Sequence, residues 1–138
     1  MKKLSRSQLK QRSDLLIRLE KLYEAAEHQI TAYNEGECSH GMVESAVERY
    51  NEAVGDANCL LADVRSDIED YIEGRSEKWQ EGERGDRYRE WLDLTDDLDT
   101  IETPEAETDE DGNRTVEDLD GYNEAYERLN DLWESVDG

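Results

Sequence analysis

The side chains best suited to chemistry crowd into residues 103–121, TPEAETDEDGNRTVEDLDG, where eight carboxylates accompany one base, Arg114. The order of oxygen ligands in an EF-hand calcium loop, with its turn glycine, is matched by Glu107, Asp109, Asp111, Gly112 and Asp118. The first ligand is Glu rather than Asp, the last is the shorter Asp, and Pro104 stands where an entering helix should run. The stretch is interpreted as a solvated acidic loop, and weak calcium binding by residues 107–118 remains the alternative.

Paired carboxylates on predicted helices suggest a second kind of metal site. Glu24 and Glu27, and likewise Glu90 and Asp93, have the local spacing with which all-α nucleotide pyrophosphohydrolases hold Mg²⁺. With 38 carboxylates in the chain such pairs arise by chance, and the gap between these two pairs is longer than in that family. There is no Ser/His/Asp set and no phosphate-binding glycine loop. We therefore predict that the protein is not an enzyme, uses no cofactor and holds no catalytic metal.

The charge of the chain is strongly acidic and unevenly distributed. Its 138 residues carry a formal net charge of -22. Residues 1–21 hold seven bases against two acids, a net charge of +5, whereas the other 117 residues hold nine bases against 36 acids. Beyond residue 21, direct binding to nucleic acid or to an anionic membrane is therefore not expected. No apolar run exceeds four residues, so no signal peptide or membrane span is predicted and a cytoplasmic location is expected.

Carboxylates form a regular stripe along a long amphipathic segment, residues 42–74. The stripe recurs mainly every four residues and consists of Glu44, Glu48, Glu52, Asp56, Asp63, Asp67 and Asp70. Four residues of helix rise about 6 Å, a spacing comparable to that of phosphates along a DNA strand. Only Arg49 and Arg65 accompany nine acids in this segment, and a merely solvated helix face does not require such an excess of one sign. A second acidic patch is predicted at Asp96, Asp97, Asp99, Asp109 and Asp111.

Apolar residues at alternating steps of three and four predict the helices that position these carboxylates. The four series run from Leu16 to Tyr33, from Val43 to Tyr71, from Tyr88 to Leu98 and from Leu119 to Val136. We expect one all-α domain over residues 1–138, with an antiparallel helical hairpin and two shorter helices in a four-helix bundle-like arrangement. The expected helices span residues 7–33, 42–73, 86–99 and 116–136, and an acidic loop spans 100–114.

Residues 50–94 contain the runs YNEA, RSEKWQEGERG and YREW. These runs resemble small acidic proteins of phages and other mobile elements, and the likeness covers about a third of the chain. The resemblance implies a mobile-element gene, a setting in which small acidic proteins often counter host defence. No functional residue is carried over from it.

These observations together predict an acidic, non-enzymatic inhibitor. It would bind the basic surface of a nucleic-acid-binding host protein, such as a defence nuclease or a restriction or CRISPR effector, as a DNA mimic. A phage-encoded protein of this kind would act in the host cytoplasm. The alternative is a helical adaptor or structural protein that self-associates as a homodimer and whose acidic surface serves solubility or adaptation to salt. The twelve acids of the stripe and the patch are the predicted partner-binding residues.

Overall fold

The computed structural model describes residues 2–108, 110, 112, 114–117, 119 and 123–136. The elements in chain order are α1 (Arg6–Asn34), α2 (His40–Glu73), α3 (Glu77–Glu81), α4 (Glu83–Asp93), β1 (Glu107–Thr108), β2 (Arg114–Thr115) and α5 (Glu124–Asn130). Within those residues the two short strands form the only sheet, an antiparallel pair. The all-α class that the sequence predicts is therefore confirmed.

The two long helices form an antiparallel hairpin. Near its start, α1 contacts the end of α2, where the Gln8 side chain donates to Asp67 at 3.0 Å. Further along α1, the Arg18 guanidinium pairs with Asp56, which lies nearer the start of α2. A capping box at Ser5, completed by Gln8, sets the start of α1 because it satisfies backbone N–H groups that the first turn leaves free. The ends of both helices lie within two residues of the predicted bounds.

The hydrophobic core forms along one side of this hairpin. Its larger cluster joins α1 and α2 to α4, α5 and both ends of the described chain, with Trp91 and Tyr88 fully buried. The indole of Trp91 donates to the Trp133 carbonyl at 3.0 Å, so its polar atom is satisfied inside the core. A smaller cluster near the turn of the hairpin contains Ile30, Val43 and Val47, and Val116 covers it.

The prediction of one helix over residues 86–99 is wrong at both ends. The helix α4 starts earlier, at Glu83, and follows the separate turn α3, so the described chain has five helices rather than four. A side chain at Gly85 would overlap the main chain of Gln80, which is why this corner needs glycine. The helix ends at Asp93, and the Thr95 hydroxyl donates to the Leu92 carbonyl at 2.6 Å. Residues 97–100 have no helical structure.

The prediction of a final helix over residues 116–136 is also wrong. The helix α5 spans only Glu124–Asn130, and the Asn123 side chain caps it by accepting from the Tyr126 N–H. Val116 is extended instead of helical because its N–H and carbonyl both bond to the side-chain amide of Asn34. After α5 the chain pairs with the N-terminal segment, where the Leu4 N–H donates to the Glu134 carbonyl at 2.8 Å.

The predicted acidic loop over residues 100–114 has more structure than a loop. Residues 94–106 connect α4 to β1, and we call this segment the strap. The first part of the predicted loop, residues 100–106, belongs to it. The second part of the loop enters the β1–β2 pair, where Thr108 lies opposite Arg114 and Gly112 has a φ of 85° that suits glycine.

Tyr50 links the hairpin to the start of α5 at the centre of the core. Its ring meets Tyr23 edge-on at 5.5 Å between centroids, and its hydroxyl donates to the side chain of Asn123. Burial raises the pKa of Tyr50 to about 12, with smaller contributions from Tyr23 and Glu124. The phenol is therefore held neutral in the folded protein.

We predict that Tyr50 makes the protein sensitive to alkali. Because its folded pKa of about 12 lies above the ordinary value of 10.0, its contribution to stability is complete below pH 10.0 and is lost as the pH rises toward about 12. The free energy of unfolding, measured with urea from about pH 8 to about pH 11, should fall more steeply with pH in wild type than in Tyr50→Phe. The control, Tyr33→Phe, alters a half-buried ring beside His40 and should keep the wild-type slope. Equal slopes in all three proteins would contradict this role.

Candidate acidic binding surface

The outward side of α2 carries most of the predicted stripe. Glu44, Glu48, Glu52, Asp63 and Asp70 are all exposed. Glu44 lies at the start of the row, where its carboxylate is 3.3 Å from Nδ1 of His40. The helix is 34 residues long, so the row follows a single helix over about 40 Å between the first and last of these acids.

Two members of the stripe turn toward α1 instead. Asp56 accepts from Arg18 at 2.8 Å, and Asp67 accepts from Gln8 at 3.0 Å. Both therefore support the hairpin, and their charges are less available to a partner than those of the outward row. The basic N-terminal segment is also used within the chain, since Arg12 pairs with Glu134 at 3.1 Å.

Both arginines of α2 lie at the edges of the outward side. Arg65 bonds to the strap through the Thr95 carbonyl and hydroxyl and lies 3.7 Å from Asp97. Arg49 lines a groove between α1 and α2. The exposed side chains between these two edges thus include no arginine or lysine, and the outward side of α2 carries charge of one sign.

The strap lies against α2 through paired amide contacts. The Asn58 side chain accepts from the Leu98 N–H at 2.7 Å and donates to the Leu98 carbonyl at 3.1 Å. Asn51 makes the same two bonds to Ile101, at 2.9 Å and 2.8 Å. In an extended chain the N–H and C=O of one residue point to the same side. Each asparagine side chain therefore makes the two hydrogen bonds that a neighbouring β-strand would make.

Each seven-residue step between these contacts on α2 corresponds to a three-residue step on the strap. Arg65, Asn58 and Asn51 are seven residues apart along α2, a rise of about 10.5 Å per step. Their partners Thr95, Leu98 and Ile101 are three residues apart. Thr95 lies in the turn after α4, and from Leu98 to Ile101 three residues of extended chain would rise about 10 Å. The strap therefore runs antiparallel to α2, and it continues to His40, whose Nε2 lies 2.7 Å from the Pro104 carbonyl.

This register places the second predicted patch beside the first. Leu98 is buried and Ile101 half-buried against the core, whereas Asp96, Asp97 and Asp99 are exposed. The strap thus adds a second acidic row along the Arg65 edge of α2. We name the outward row of α2 and these three aspartates the acidic face: Glu44, Glu48, Glu52, Asp63, Asp70, Asp96, Asp97 and Asp99. Asp109 and Asp111, which the sequence adds to the patch, lie outside the described residues.

The residues that build this surface were missed by reading apolar and acidic patterns alone. The signal was present, because Asn51, Asn58 and Arg65 repeat every seven residues at polar positions of a long helix. Heptad repeats of polar residues mark a line of contact in the same way as heptad repeats of apolar residues. The partner of that line could not be identified from the sequence, because the strap has no periodic pattern of its own.

Among the described residues, the candidate metal sites gain no further ligands from the fold. No group of three or more His, Cys, Asp or Glu side chains suited to a metal occurs among the described residues. In the candidate calcium loop, Arg114 and Thr115 belong to β2 rather than to the start of a helix, and Asp109, Asp111 and Asp118 lie outside the described residues. In the part of the chain that the structure describes, every helix is too short or too polar to span a membrane.

Comparison with known proteins identifies no relative. No protein-family model matches the chain, and no curated protein or solved structure matches it significantly. The function must therefore be argued from the acidic face itself.

We predict that the paired amide contacts hold the strap in place. Replacing Asn58 with Ala removes two hydrogen bonds and leaves the Leu98 N–H without its partner, so the loss of stability should be about 1–3 kcal/mol. Hydrogen exchange at the Leu98 amide should accelerate more than exchange in the middle of α1. Asn130→Ala, at an exposed position at the end of α5, should leave Leu98 protected. Slow exchange at Leu98 in Asn58→Ala would show that other contacts hold the strap.

Proposed function

We propose that the protein is a non-enzymatic inhibitor that occupies the DNA-binding groove of a basic, nucleic-acid-binding protein. The observation that supports this proposal most directly is the single sign of charge on the outward side of α2, with both of its arginines at the edges. Solubility alone does not require that separation, because a solvated helix face normally carries charges of both signs interspersed.

The mechanism is steric and electrostatic. A cationic groove that binds DNA holds its lysines and arginines at positions suited to phosphates. Glu44, Glu48 and Glu52 present negative charges about 6 Å apart along α2, and Asp63 and Asp70 follow at wider steps. The strap adds a second row of negative charge beside them. Pairing with the groove's cations would displace DNA because both compete for the same groups.

The rigidity of the face favours this role. The row on α2 is part of a helix whose inner side is buried, and the strap row is held by paired amides, so few backbone degrees of freedom remain to be ordered on binding. The resemblance of residues 50–94 to acidic proteins of mobile elements suggests a class of target: a host defence nuclease, or a restriction or CRISPR effector. Action in the host cytoplasm is part of the same proposal.

The first experiment is capture from host lysate with the tagged protein at about 0.15 M salt, followed by elution with a DNA duplex. We expect a DNA-binding protein to be released by the duplex, because the two ligands compete for one groove. Capture of nothing, or of proteins that the duplex does not release, would contradict DNA mimicry.

We further predict that neutralising the acidic face weakens binding to the captured protein. The triple variant Glu48→Gln, Asp63→Asn, Asp70→Asn should lose about tenfold or more in affinity, since exposed pairs contribute roughly 0.2–1 kcal/mol each and more when desolvated. The matched control neutralises three acids of α1 that are exposed, in the variant Asp14→Asn, Glu20→Gln, Glu24→Gln. Affinity measured for both variants at the same salt concentration separates the face from net charge. An equal loss in both would mean that only total charge matters.

A further inference from the structure

A groove between α1 and α2 forms a surface distinct from most of the acidic face. Its main part has a volume of about 380 Å³ and is lined by Ile17, Leu22, Arg18, Lys21, Arg49 and Glu52. It continues past Leu22 and Arg49 into a smaller space of about 120 Å³ that reaches Met42. We call the two together the hairpin groove. Glu52 forms its boundary with the acidic face.

The hairpin groove contains the large apolar side chains that folding leaves exposed. Ile17 and Met42 are each 50% exposed, and among the described residues no other large hydrophobic residue is as exposed. One lies on α1 and the other on α2, yet both lie along the same groove. Two exposed apolar residues in one groove with a polar rim offer apolar contacts to a partner.

The charge of the hairpin groove is opposite to that of the rest of the chain. Its main part has three bases and one acid, whereas the whole chain has a net charge of -22. Arg18 is paired with Asp56, but Lys21 and Arg49 form no ion pair within the described residues. Two cations without ionic partners beside exposed apolar side chains are complementary to a ligand that is both apolar and acidic.

We propose that the hairpin groove binds an acidic amphipathic helix of a partner protein. Two antiparallel helices present a cleft into which a third helix can pack its apolar side, with anchors at positions i, i+3 or i+4, and i+7. The anchors would contact Ile17, Leu22 and Met42, and carboxylates at the edges of the ligand helix would pair with Lys21 and Arg49. From Met42 to Glu52 the groove follows α2 for about 15 Å, which is enough for roughly three turns of a bound helix.

A second copy of this chain is a poorer occupant of the same groove. A two-fold contact would bring the groove of one copy against the groove of the other, so that Lys21 and Arg49 would face cations of the same kind. Like charges in an interface disfavour association, and the net charge of the whole chain adds to that repulsion. The complementary charge therefore favours a different, acidic helix.

The test uses two labelled model peptides of about 15 residues, each with leucines at helical spacing on one side. One carries glutamate at every other polar position, and its matched counterpart carries glutamine, which is neutral and so is not attracted to the acidic face, at the same positions. Fluorescence anisotropy with the full-length protein at about 0.15 M salt should show at least tenfold tighter binding of the acidic peptide. That preference opposes the net charge of the chain, so general electrostatic attraction cannot produce it.

Substitutions inside and outside the hairpin groove show where the acidic peptide binds. The double variant Lys21→Glu, Arg49→Glu should weaken binding of the acidic peptide tenfold or more, and Met42→Gln should weaken it several-fold. Lys10→Glu, at an exposed position of α1 outside the groove, and Ala62→Ser, on the outward side of α2, should both bind as wild type does. All of these positions are exposed, and circular dichroism would verify that each variant is folded.

Three results would overturn the proposal. The acidic peptide could fail to bind, or the two peptides could bind equally. The groove variants could also bind the acidic peptide as tightly as wild type. Sedimentation velocity provides a separate check, because a concentration-dependent dimer that Met42→Gln dissociates would make the groove an interface between copies. The triple variant of the acidic face, Glu48→Gln, Asp63→Asn, Asp70→Asn, should still bind the acidic peptide, so this result is independent of the proposed DNA mimicry.

Discussion

The structure depends on a pairing between asparagine side chains and extended backbone. A long helix cannot offer main-chain hydrogen bonds to a neighbouring segment, because its own N–H and C=O groups are used within it. Asn58 and Asn51 overcome this limit by presenting an amide to both polar groups of one residue in the strap. Asn34 does the same for Val116. These contacts let segments without secondary structure lie against the hairpin with their backbone groups satisfied.

The same pairing organises the charge of the molecule. Leu98 of the strap and Val116 after β2 are buried, so neighbouring carboxylates such as Asp97 and Asp99 are directed to solvent. Thr95 is the one fully buried polar residue of the described chain, and its hydroxyl is bonded to the Leu92 carbonyl. The carboxylates thus avoid the cost of burial and repel one another mainly through water. A chain with this much negative charge can therefore keep an apolar core.

The hairpin offers two surfaces of different chemistry. Its outward side on α2, extended by the strap, is a polar field of one sign and suits recognition by a cationic groove. The groove between α1 and α2 is apolar with cations at its rim. The two surfaces meet at Glu52, so a partner bound to one surface lies close to a partner bound to the other. A protein with both surfaces could hold an acidic helix while it covers a DNA-binding site, and each contact can be measured without the other.

The amino-acid sequence by itself determined the long hairpin and the acidic stripe. Apolar steps of three and four along α1 and α2 specify a buried side over many turns, and the polar side then follows from helical geometry. The tertiary structure alone decided where the shorter helices end and what Asp56 and Asp67 contact. Leu98 ends an apolar series that favours helix, and Val116 begins the predicted final helix, but each gains two hydrogen bonds from an asparagine 40 or 82 residues away. Because those bonds require an extended backbone, a distant side chain overrides the local helical preference, and no local pattern reveals it.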